Sequence, residues 1–168
     1  ELVPHAGRAV PLEAIRLPAA LDGRAGINRG DTNRCRIDAL NDYQAIQTWL
    51  SLWPAGGHTW RAYRKEAERC LAWAILERGK AFSDLLTDDC LAYRAFLAQK
   101  DFGPRWSGPQ VARTLPGWRP FQGPLSTRSR AYAEQVLAAL CEWLVGRRYL
   151  DSNPWDGMPA LRVAALDI

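Results

Sequence analysis

Proline decides what this chain can fold into. Inside a helix it removes a backbone donor and clashes with the preceding turn, so long helices are confined to the proline-free stretches 19–53, 55–103 and 125–153. Between the last two, Pro104, Pro109, Pro116, Pro120 and Pro124 fall within DFGPRWSGPQVARTLPGWRPFQGPL, which predicts a long irregular loop. Residues 1–38 carry Pro4, Pro11, Pro18, Gly23, Gly26 and Gly30 without sustained periodicity. They are expected to form an extended arm that drapes over the domain or joins an upstream segment.

Within these limits, apolar spacing places four helices. Ile46, Trp49, Leu50 and Trp53 form the first stripe, capped by Asn41 or Asp42 and ended by Pro54-Ala55-Gly56-Gly57. Trp60, Tyr63, Ala67, Leu71, Ala74 and Ile75 form the second, opened by Thr59 as a cap and stopped at Gly79. Thr87 is expected to cap a third helix whose first turn holds Asp88 and Asp89, whose Cys90, Tyr93 and Leu97 face one way, and which ends near Lys100. Ser126 or Thr127 caps the fourth, with Ala133, Val136, Leu137, Leu140 and Leu144 inward to about Tyr149, before Asp151-Ser152-Asn153-Pro154 stops it. There is no alternating strand pattern, internal repeat or glycine-rich phosphate loop. The expected fold is an all-α compact bundle of four main helices, with the arm before it and the long Pro/Gly/Trp-rich loop before its last helix.

With 48% hydrophobic residues in 168, the chain can fill one core. No apolar run approaches the roughly 20 residues that span a bilayer, and the first ten residues lack a basic start followed by an apolar stretch. The expectation is a cytoplasmic protein without a membrane partner. Cys35, Cys70, Cys90 and Cys141 form no C-x-x-C pair, so buried free thiols are expected rather than a metal or disulfide framework. Nothing implies a cofactor.

A net charge of +4 and a pI near 9.1 favour acidic partners. On the second helix Arg61, Lys65 and Arg69 follow at four-residue steps with Arg64 beside them. Glu66 and Glu68 in the same patch allow two readings, a solvated face with internal ion pairs or a phosphate-binding face. LSTRSRAY places Ser126, Thr127, Arg128, Ser129 and Arg130 at a helix start, where free N–H groups, hydroxyls and guanidinium groups suit a phosphate; ordinary capping by Ser126 with surface arginines is the alternative. In the loop, Arg105, Arg113 and Arg119 alternate with Trp106, Trp118 and Phe121. That pattern suits nucleic acid, and it also suits a loop anchored by buried aromatics, the reading preferred for Trp118 and Phe121.

Three texts in order, NDYQAIQTWL, HTWRAYRKEAERCLAWAILERGKAFSDLLTDD and WRPFQGPLSTRSRAYAEQVLAALCEWLVGRRYLDSNPWDGM, resemble the core-binding domain of the tyrosine recombinase (phage integrase) family, a SAM-like helical module. They cover residues 41–158, and it is their order rather than any single motif that carries the resemblance. The resemblance implies a core-binding domain over residues 39–158, a linker beginning at 159–168 towards a catalytic domain, and a bacterial, DNA-associated protein. It implies duplex DNA as partner, held near the crossover site by helices two and four. Carried over by position, the contacts are Thr59, Arg61, Arg64 and Lys65 with Ser126, Thr127, Arg128, Ser129 and Arg130, and the charge pattern adds Arg69. The isolated domain is expected to be monomeric, and the intact recombinase to act as four protomers on two DNA sites.

His58-Thr59-Trp60-Arg61 matches the family's catalytic His-x-x-Arg formally, but it opens a helix of the wrong domain. No tyrosine stands where the family's nucleophile lies, so the expectation is a DNA-binding fragment rather than an enzyme. The principal alternative is a helical protein-interaction module. A helix-turn-helix repressor fits less well, because residues 79–86 exceed the tight turn that motif needs.

Overall fold

The computed structural model describes residues 7–162. The fold is all-α: four helices, α1 (Asp42–Leu50), α2 (His58–Arg78), α3 (Thr87–Leu97) and α4 (Thr127–Gly146), with single 3-10 turns at Leu12–Ala14, Ala19–Leu21 and Phe82–Asp84. There is no strand among the described residues, only isolated bridges between Arg29 and Leu150 and between Ser107 and Phe121. Helix α2 is the axis, touching α1, α3 and α4, while α4 also packs on α1 and α3. From Glu66 to Ile75 every residue of α2 is buried.

The caps follow local chemistry, with two departures. Asn41 accepts from the Gln44 N–H, and Ser126 from the Ser129 N–H, at 2.9 and 3.1 Å. Thr59 is not a cap: α2 begins one residue earlier behind Gly57, which has no side chain to offer. Thr87 is not one either, since α3 is capped at Leu86 and the Thr87 hydroxyl donates to Pro154 O. Asp89 does that work, accepting from the Leu86 N–H at 2.8 Å while Arg78 and Lys80 neutralise it. Gly79 closes α2 at φ 62°, a conformation that suits glycine. Helix α4 stops at Gly146, short of Tyr149, because Arg148 turns into the left-handed region at φ 60°.

Between Gly7 and residue 38 the arm drapes over the bundle and contributes a few residues to its core. Ala9 and Leu12 lie in the main apolar cluster, and the Leu12 N–H donates to the buried Glu68 carboxylate at 2.7 Å. Asn28 grips the segment after α4, donating to Ser152 O at 2.7 Å and accepting from the Ser152 N–H at 3.1 Å. Residues 1–6 of the expected arm and 163–168 of the expected linker lie outside the described residues.

The arm's glycines permit close approach. A Cβ on Gly23 would fall 2.1 Å from the Asp42 carboxyl, at φ +83°. Gly23→Ala is therefore expected to cost about 2–4 kcal/mol in urea denaturation, combining strain with a clash. Gly117→Ala, where a Cβ meets nothing within 4 Å, should stay within about 0.5 kcal/mol; equal effects would show that the arm does not need its close fit.

The long loop is irregular but built. Trp106, Trp118 and Phe121 are all buried. Phe102 and Phe121 stack with centroids 4.1 Å apart, and Trp106 donates its indole N–H to Glu77 at 2.7 Å. Phe121 anchors the loop as expected and Trp106 joins it, whereas Trp118 is buried outside the main apolar cluster, under Arg113 at 5.2 Å. Cys70, Cys90 and Cys141 are buried free thiols, and Cys35 is half-buried and free.

Candidate nucleic-acid interface

Sequence alone offers up to thirteen positions between α2, the loop and α4 as phosphate contacts, and packing sorts them by what each charge already touches. Arg69 is withdrawn. It is 5% exposed, its Nε donates to Pro120 O at 3.0 Å, its guanidinium lies 4.2 Å over the Phe121 ring, and Glu66 is 3.8 Å away. Periodicity puts Arg69 on the polar face of α2, but the loop covers that face at Arg69.

The loop arginines are also committed. Arg119 donates to the carbonyls of Pro104, Pro116 and Trp118, and Arg105 to Gly7 O while pairing with Glu77 at 3.5 Å. Arg113 joins the arm to α2, with a two-pronged contact to Glu13 and hydrogen bonds to Glu68. Burial opposes its charge, but the two carboxylates more than offset that and hold it firmly protonated. Hydrogen bonding to Arg113 in turn holds Glu13 below the ordinary carboxylate range, whereas burial raises Glu68.

Arg64 is intermediate. Its guanidinium stacks 4.6 Å over Trp60 and stands 3.9 Å from Glu13; burial, then the neighbouring Arg113, disfavour its charge. Arg130 is half-buried and donates to the Thr127 hydroxyl at 3.1 Å. Ser126 and Ser129 serve the α4 cap, and Thr59 is exposed on the first turn of α2. Arg61, Lys65 and Arg128 are exposed and form no ion pair among the described residues, Arg61 touching only His58 at 3.4 Å.

These free cations meet in one trough. A groove of about 780 Å³ between α2, the end of the loop and the start of α4 brings Lys65 together with Arg128, Ser129 and Tyr132. A second hollow of about 410 Å³ continues it along α2 past Arg61, Arg64 and Arg113, sharing Lys65 and Gln122 with the first. Thr59, Ser126, Thr127 and Arg130 line neither part.

Tyr132, Gln135 and Gln122 escape a search for charge. The first two had a signal, because Arg128, Tyr132 and Gln135 follow at helical spacing and share one face of α4. Gln122 had none: its place depends on how the loop returns. Among the described residues no three His, Cys, Asp or Glu side chains are grouped as a metal site requires, and no helix is long and apolar enough to cross a membrane. Comparisons with protein-family models, with curated proteins and with solved structures found no match.

Proposed function

We propose that this chain binds duplex DNA through phosphates, as the core-binding module of a tyrosine-type recombinase. The observation that carries the reading is the meeting of Lys65 from α2 and Arg128 from α4 at one groove, both exposed and without an acidic partner among the described residues. Cations without internal partners are the ones able to release counterions on a polyanion. Arg61 extends the line along α2, and the start of α4 adds the positive end of a 20-residue helix.

In this reading strand cleavage belongs to a separate catalytic domain. Burial pushes the hydroxyls of Tyr93 and Tyr149 well above the ordinary phenol range, which disfavours the phenolate a nucleophile needs.

Three free cations predict a modest salt dependence, with log Kobs falling against log salt at a slope of about −3. Replacing Lys65 and Arg128 together by alanine is expected to weaken binding to a labelled duplex about 10- to 50-fold and to flatten that slope by about 2. The melting temperature should hardly move, since exposed charges contribute little to folding. Affinity that ignores salt would defeat the proposal and favour a protein partner instead.

A further inference from the structure

Phosphate binding leaves one wall of the larger groove unexplained. Glu66 is 3% exposed and lines the groove, yet its carboxyl accepts no hydrogen bond among the described residues, and its Oε1 is wholly buried without a donor. Its nearest cation, Arg69, stands 3.8 Å off with Nε already given to Pro120. Buried carboxyls ordinarily carry donors, and burial pushes this one above the usual carboxylate range.

What surrounds Glu66 describes a ligand. Lys65 and Arg128 call for an anion, the ring of Tyr132, 40% exposed, offers a face for stacking, and Glu66 lacks an N–H donor. A volume of about 780 Å³ exceeds what a phosphate alone would fill. A nucleotide whose base bears an amino group supplies all three: charge, a flat face and a donor.

We propose that the groove receives one unstacked nucleotide of the bound DNA. Its phosphate lies between Lys65 and Arg128, its base rests against Tyr132, and the amino group of a cytosine, adenine or guanine donates to Glu66. The inference rests on the DNA-binding reading and adds a base preference to it. A base already out of the stack costs least to seat, so duplexes with one unpaired nucleotide are the natural probes.

The test compares the full chain by fluorescence anisotropy on labelled duplexes of one sequence, fully paired or with a single unpaired C, A, G or N3-methylthymine. Expected is binding about tenfold tighter for unpaired C, A or G than for the paired duplex, with unpaired N3-methylthymine, whose edge carries no N–H donor, close to paired. Glu66→Gln, which offers a donor as well as an acceptor, should bring C and N3-methylthymine within about twofold of each other while binding to paired duplex persists. Tyr132→Leu, at an exposed position that leaves the core intact, should remove the gain for every unpaired base.

Equal affinity for paired and unpaired duplexes would overturn the inference and leave phosphate binding standing. So would an equal gain for unpaired N3-methylthymine, which has no donor for Glu66 and would report only a more flexible duplex. Binding to none of the duplexes would remove the DNA-binding reading and this inference with it.

Discussion

Asp42→Ala is expected to destabilise the fold by about 3–4 kcal/mol in urea denaturation. Asp42 opens α1 and is fully buried. Its Oδ1 accepts from the Tyr149 hydroxyl at 2.6 Å, and its Oδ2 from the Ser83 N–H and hydroxyl at 2.9 and 3.0 Å. Ser83 belongs to the turn after α2 and Tyr149 to the segment after α4, while the arm crosses at Gly23. One carboxyl thus joins four segments that local propensity does not hold together. Alanine would leave the Tyr149 hydroxyl and the Ser83 N–H facing a cavity, the Ser83 hydroxyl still reaching Gly23 O at 3.3 Å, and buried donors without partners cost more than the net value of the bonds.

The pH dependence has a definite sign. Burial pushes the Asp42 carboxyl up to about 6 from an ordinary 3.8, against its three donors, which favour the charged form. The native state then keeps this proton longer than the unfolded chain does, so the group's contribution to stability falls as pH rises from about 4 to 6. The Asp42→Ala penalty should therefore be larger at pH 4 than at pH 7. A loss below about 1 kcal/mol, or a penalty that grows with pH, would remove Asp42 from this role.

Arg69→Ala is expected to cost about 3 kcal/mol of stability while leaving the DNA affinity of the folded fraction within about threefold of the parent. The change deletes the hydrogen bond to Pro120 O and the packing over Phe121, and it leaves Glu66 buried without its neighbour. Denaturation paired with anisotropy separates this from the Lys65 and Arg128 change, whose expected pattern is the reverse. A stable Arg69→Ala protein that had lost DNA binding would put Arg69 back at the interface.

The helices were legible because their causes are local. Apolar spacing, the caps Asn41 and Ser126 and the stop at Gly79 each act within a few residues and locate α1 to α4, although α1, α3 and α4 end at Leu50, Leu97 and Gly146, short of their expected stops. The loop's place before α4 was equally local, since its prolines exclude a helix. The same texts also offered the exposed cations Arg61, Lys65 and Arg128, because helical spacing needs nothing beyond the helix itself.

What only the tertiary structure decided is which charges remain free and what the arm is for. Arg69 and Lys65 lie one turn apart on α2, and their types and spacing are equivalent in the sequence. Both line the groove, but the returning loop takes up Arg69, whereas Lys65 stays exposed. Arg113 looks like a free loop cation until the arm brings Glu13 beside it and α2 presents Glu68. Gly23 reads as a flexible residue, yet it gives the backbone room to lie against Asp42. In each case the partner is distant in the chain, and burial sets the energy of the contact. Periodicity registers neither, because it reports only which residues share a face and not what comes to cover that face.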